Sequence, residues 1–178
     1  MSLPASLSSS RSLKVLKKIP LLLLFFHFPG AMAKEDSKPV NWETSRIKAH
    51  VVRLKPGQDL VAELTSWAKQ NHIKAASILS VVGSLKKVTL RFANQPKPEV
   101  REGHFEIVSV TGTLNEDSMH LHASVSLPTG ATLGGHLMGE NLVYTTAEIA
   151  VAEFQDLTFG REKDDTFGYS ELSIRKAP

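Results

Sequence analysis

The 178-residue sequence contains no cysteine. That absence excludes a disulfide scaffold, a thiolate-ligated zinc or iron–sulfur site and a thiol nucleophile. No Asn-x-Ser/Thr sequon occurs, so no N-linked glycan is encoded. A Gly-x-Ser-x-Gly elbow is also missing, which removes the usual sequence support for serine hydrolase chemistry. The first 33 residues lack acidic side chains altogether. They carry Arg11, Lys14, Lys17 and Lys18, and these four account for the formal net charge of +3. Without them, 17 basic residues stand against 18 acidic ones. The remainder therefore lacks the basic excess of a typical nucleic-acid-binding domain.

What is present reads as a leader and one folded domain. Residues 1–33 run from a Ser-rich, basic stretch into the apolar segment from Ile19 to Phe28, then to Ala31-Met-Ala33. This is the order of a cleavable secretory signal peptide with an A-x-A site. An acid-free, Ser-rich leader also fits a mitochondrial presequence, which stands as the alternative. The apolar segment is about half the length that a bilayer-spanning helix needs, so no stable membrane span is expected. Residues 34–45 read as a polar linker, and residues 46–176 as a single domain without internal repeats.

Within that domain, alternation predicts a strand near residues 47–52, broken at Pro56-Gly57. Leu60, Leu64, Trp67 and Ala68 then fall on one face of a helix over residues 58–71, which Asn71 ends. Thereafter the period is mostly two. Strands are expected over 75–82, ending at Gly83, then around 88–92, 105–114, 118–127, 131–138, 143–154 and 169–174. Residues 94–98 read as a loop, and the charged run Arg161-Glu-Lys-Asp-Asp165 as a solvated one. One main packed helix and about seven mostly antiparallel strands predict an α+β fold.

The segment with chemical content is Met119-His-Leu-His-Ala-Ser-Val-Ser126. Alternation sends Met119, Leu121, Ala123 and Val125 to the core, and His120 and His122 together to the opposite face. A turn at Pro128-Thr-Gly130 would return His136 to the same place. Three neutral imidazoles suit a divalent transition metal such as zinc and leave a coordination position open. Glu148, on the following strand, is a candidate fourth ligand, a partner behind a ligand, or a general base. The bland reading is that these histidines are polar residues on a solvated or subunit-facing sheet surface. Gly134-Gly135 reads either as a bend or as a place where the backbone approaches a neighbour closely. His50, His72 and His104 read as ordinary surface or core histidines.

Four segments in order resemble the PPC domain, the plants-and-prokaryotes-conserved domain. They are Gly103-His-Phe-Glu-Ile-Val-Ser-Val-Thr-Gly-Thr-Leu114, His120-Leu-His-Ala-Ser124, Leu133-Gly-Gly-His-Leu137 and Ala147-Glu148. Leu54-Lys-Pro-Gly57 and Val81-Val-Gly-Ser84 look like the opening of the same domain. The resemblance implies a compact domain assembling as a homotrimer, with His120, His122 and His136 as candidate metal ligands. Plant members of the family join the domain to AT-hook motifs and act as DNA-associated regulators. This sequence has no Arg-Gly-Arg-Pro hook and is more similar to the stand-alone members. Three functions therefore stand open: an oligomeric binding module with a metal site, a metal-dependent hydrolase or lyase using the three histidines, and a DNA-associated regulator.

Overall fold

The computed structural model describes residues 41–178, so the leader and most of the linker lie outside the described residues. The elements run β1 (Ile47–Leu54), α1 (Leu60–Gln70), β2 (Ala76–Arg91), β3 (Glu99–Leu114), β4 (Met119–Ser126), β5 (Thr132–Leu137), β6 (Val143–Phe154), β7 (Leu157–Lys163) and β8 (Ser170–Lys176). Among the described residues, eight antiparallel strands against one 11-residue helix make this a mostly antiparallel β fold, and the α+β expectation is corrected accordingly. The expectation failed because glycines and polar stretches read as breaks are extended chain. β2 continues through Gly83, and β3 starts at Glu99, well before Phe105. The charged run after Gly160 is also partly strand, giving the β7–β8 hairpin.

Six strands form one sheet in the order β1-β6-β2-β3-β4-β5. β2 shares its second edge: residues 76–85 pair with β6, whereas Leu90 and Arg91 pair with Leu137 and His136 of β5. The β2–β3–β4–β5 segment thereby closes on itself. Gly134 and Gly135 are what allow this closure. A Cβ on Gly134 would stand 2.9 Å from the Ala123 carbonyl oxygen of β4, and one on Gly135 would stand 2.7 Å from the Arg91 carbonyl oxygen of β2. Of the two readings of the glycine pair, the close backbone approach is the one observed.

α1 forms where the apolar spacing predicts it. Asp59 caps its start, accepting from the Ala62 backbone N–H, and Asn71 ends it, with Nδ2 donating to the Trp67 carbonyl. Leu60, Leu64 and Ala68 are buried in the main core with Val88, Leu90, Val125 and Ile149. A smaller cluster of Ala75, Leu157 and Phe159 fixes the β7–β8 hairpin. Asn115, itself buried, strengthens that attachment by donating from Nδ2 to the Phe159 carbonyl at 2.8 Å. No helix among the described residues is long and apolar enough to cross a membrane.

Candidate metal centre

The alternation in β4 does what its pattern predicts. Leu121, Ala123 and Val125 are buried, and His120 and His122 emerge together on the other face. β5 returns antiparallel, and its register sets His136 directly across from His122. The ligand-capable nitrogens of the three imidazoles all lie within 4.8 Å of one another. His120 Nε2 and His122 Nε2 are 3.3 Å apart. Two nitrogens at ordinary bond length from a tetrahedral zinc would stand about 3.3–3.4 Å apart, so this pair already has the spacing of two ligands. The ring of His136 lies 5.1 Å from that of His120 and 5.5 Å from that of His122, centroid to centroid.

Two further observations fit a metal. His136 Nδ1 is the one buried side-chain polar atom among the described residues that lacks a hydrogen-bond partner. A buried, unsatisfied nitrogen costs free energy unless something supplies the missing interaction. In addition, burial holds the His136 imidazole below its ordinary pKa, and His120, Arg91, His122 and Arg161 add to the depression. Burial does the same for His120, with Arg161, His122 and Arg91 lowering it further and Glu171 opposing. Both rings are thus biased toward the neutral form in which imidazole binds a metal.

Glu148 is not brought into this group. It is exposed on β6, in register with Arg53 of β1 and Val82 of β2, outside the set of side chains that converge on the histidines. The other three histidines of the domain have structural partners. His50 Nε2 meets Glu153 Oε2 at 2.7 Å, His72 Nδ1 lies 3.5 Å from Glu116, and His104 stacks on Tyr144 at 4.2 Å.

Sequence reasoning missed the surroundings of the site. Arg91 stands opposite His136 in the β2–β5 ladder. Arg161, read as part of a solvated loop, is half-buried on β7 and donates to Thr113 Oγ1 at 3.2 Å. Thr113 in turn faces His120 across β3 and β4. Leu157, Phe159 and Arg161 alternate on one face of β7, a period-two signal that could have revealed the strand.

The sequence profile of the Plants and Prokaryotes Conserved (PCC) domain matches residues 43–155. The chain belongs to this family. The chain is 40% identical, over 148 residues, to the bifunctional protein GlmU of Synechococcus sp. (strain JA-3-3Ab), covering 83% of this chain and 24% of that protein. The chain spans between 23% and 35% of the length of the curated relatives it matches. A protein from Salmonella cholerae-suis has a solved structure with 40% identity and a TM-score of 0.74, covering 75% of this chain and 97% of that one. The metal-containing protein from Archaeoglobus fulgidus shares the fold at 22% identity, with a TM-score of 0.65 over 75% of this chain and 99% of that one.

Proposed function

We propose that this PCC domain is a small self-associating binding module built around a divalent-metal site held by His120, His122 and His136. The observation that carries the reading is the convergence of three imidazoles from two paired strands, one of them with a buried nitrogen left unpartnered. Zinc is one ion this donor set suits, because three neutral imidazoles with an open position form a known zinc geometry. When bound, the ion would supply a Lewis-acidic coordination position facing solvent. The protein's own part is to hold two imidazoles on one strand face and a third across the ladder, and to bias His120 and His136 toward the neutral form. The metal-containing description of the Archaeoglobus fulgidus protein, which has this fold, is consistent with that reading.

Self-association as a homotrimer, which the family resemblance implies, draws support from the outer sheet face. Val51, Leu79, Val82, Val108 and Tyr144 are exposed there on neighbouring strands β1, β2, β3 and β6. Scattered exposed apolar residues are ordinary, but several on adjacent strands mark a surface that a partner would cover. Glu148 lies in register with Val82 of this face. Duplex DNA is not the ligand we propose, since the folded part carries no basic excess.

The test is light scattering combined with zinc titration of the full chain against a chelator. One zinc per chain and a mass of three chains support the reading. A monomer at micromolar concentration overturns the assembly, and failure to retain zinc overturns the metal site. Binding to duplex DNA that weakens steeply with salt would instead favour the regulator reading.

A further inference from the structure

Beside the three imidazoles lies a cleft of about 450 Å³, lined by Arg91, His120, His136, Arg161, Tyr169 and Glu171 among others. We infer that this cleft receives a small molecule through a carboxylate or phosphate group, held by the guanidinium groups of Arg91 and Arg161 next to the metal position. The inference rests on the metal reading and adds the ligand class to it.

The first support is the state of the two arginines. Arg46, Arg101 and Arg175 each pair with a carboxylate. Neither Arg91 nor Arg161 forms an ion pair among the described residues, although both are half-buried. A guanidinium drawn partly out of water and left without a counter-ion is poised for an anion. Its planar fork matches the two oxygens of a carboxylate or the face of a phosphate.

The second support is placement. Arg91 is fixed by the β2–β5 ladder beside His136, and Arg161 is held by its bond to Thr113 beside His120. The two cations therefore come from opposite sides of the imidazole group, on strands and not on loops. An oxyanion there could place one oxygen in the open coordination position and another on a guanidinium. The cleft volume lies within the range of small-molecule sites. Glu171 is the one carboxylate of the lining, so the two arginines leave the cleft net positive.

The experiment uses the full chain loaded with cobalt(II), whose visible bands report both metal uptake and changes in coordination. Inorganic phosphate and acetate are the probes, with chloride matching the ionic strength. The expected result is a spectral change on adding phosphate or acetate; whichever acts more strongly identifies the preferred head group. Arg91→Gln and Arg161→Gln should each weaken that response about ten- to hundredfold, the size of a lost hydrogen bond to a charged group, while cobalt uptake stays as in the parent. Arg161→Lys, which keeps charge but not the fork, should recover part of the loss. Normal cobalt uptake with no anion response, or a response indifferent to both arginines, overturns the inference and leaves the metal reading intact. No cobalt uptake at all overturns both. Unchanged thermal midpoints of the variants exclude misfolding as the cause of a loss.

Discussion

The site depends on β3 and β4 lying unusually close at Gly112, and Gly112→Ala tests that dependence. A Cβ at this position would stand 2.0 Å from the His120 carbonyl oxygen and 2.9 Å from the Leu121 Cα. Ordinary carbon–oxygen contacts lie near about 3.3 Å, so β4 would have to retreat by more than about 1 Å. Gly112 also has φ +138, which alanine adopts at a cost of about 1–3 kcal/mol. A retreat of that size stretches neighbouring ladder bonds beyond hydrogen-bond range, at about 1 kcal/mol each for one or two bonds. The sum is about 2–5 kcal/mol, or a fall in thermal midpoint of about 6–20 °C for a domain of this size. Gly130→Ala is the control. Its φ is +83, yet nothing lies within 4 Å of the added carbon, so only about 1 kcal/mol is at stake. Calorimetry on both variants decides the matter. Equal midpoints, or a Gly112→Ala protein that melts like the parent, would refute the close-approach reasoning. Because Gly112 sits between the residues facing His120 and His122, the variant should also bind zinc more weakly.

Other outcomes follow from the same structure. Leu64→Ala opens the core under α1, where Leu64 is 2% exposed, and should cost about 2–5 kcal/mol by chemical denaturation, against less than about 1.5 kcal/mol for the partly buried Val61→Ala. His120 and His136 hold fewer protons folded than unfolded, because their imidazoles are pushed below the ordinary value of 6.5. The stability they contribute is therefore present above that value and is lost as pH falls from it through the depressed folded values. The metal-free thermal midpoint should drop across that window and flatten in a His120→Asn/His136→Asn variant; a parent midpoint independent of pH there would contradict this. Asp156, held at about 2 by the Arg46 side chain and backbone N–H, contributes in the same direction at lower pH, present above 3.8 and lost as pH falls toward 2. Asp156→Asn should remove that acid limb of the stability profile. Fusion of residues 1–33 to a reporter should direct it to the secretory pathway with cleavage after Ala33; mitochondrial import would favour the presequence alternative.

Much of the strand pattern was legible because burial on one face leaves a period-two trace. β4 is the clearest instance, with Leu121, Ala123 and Val125 buried and both histidines outside. The helix was legible for a similar reason, as Leu60, Leu64 and Ala68 form its buried face. The fold class was not. Gly83 and Gly103 look like strand breakers, yet each lies inside a 16-residue strand. A glycine that admits a close neighbour and a glycine that ends a strand look alike until pairing is known.

At the site, the three histidines could be read from the hairpin alone, since one turn separates β4 from β5. Arg91 could not, because its approach to His136 depends on β2 and β5 closing the sheet across 45 residues of sequence. Arg161 was hidden by composition: it opens a run of charge that resembles a solvated loop, although Leu157 and Phe159 before it anchor the strand. Glu148 was placed near the histidines on strand order alone, and the actual order, with β6 between β1 and β2, puts it elsewhere.

The most direct measurement is an anomalous difference map at the zinc absorption edge from crystals of the zinc-loaded chain. The account predicts one peak per chain lying about 2.0–2.1 Å from a nitrogen of each of His120, His122 and His136. No peak at saturating zinc, or a peak held by other residues, would contradict it.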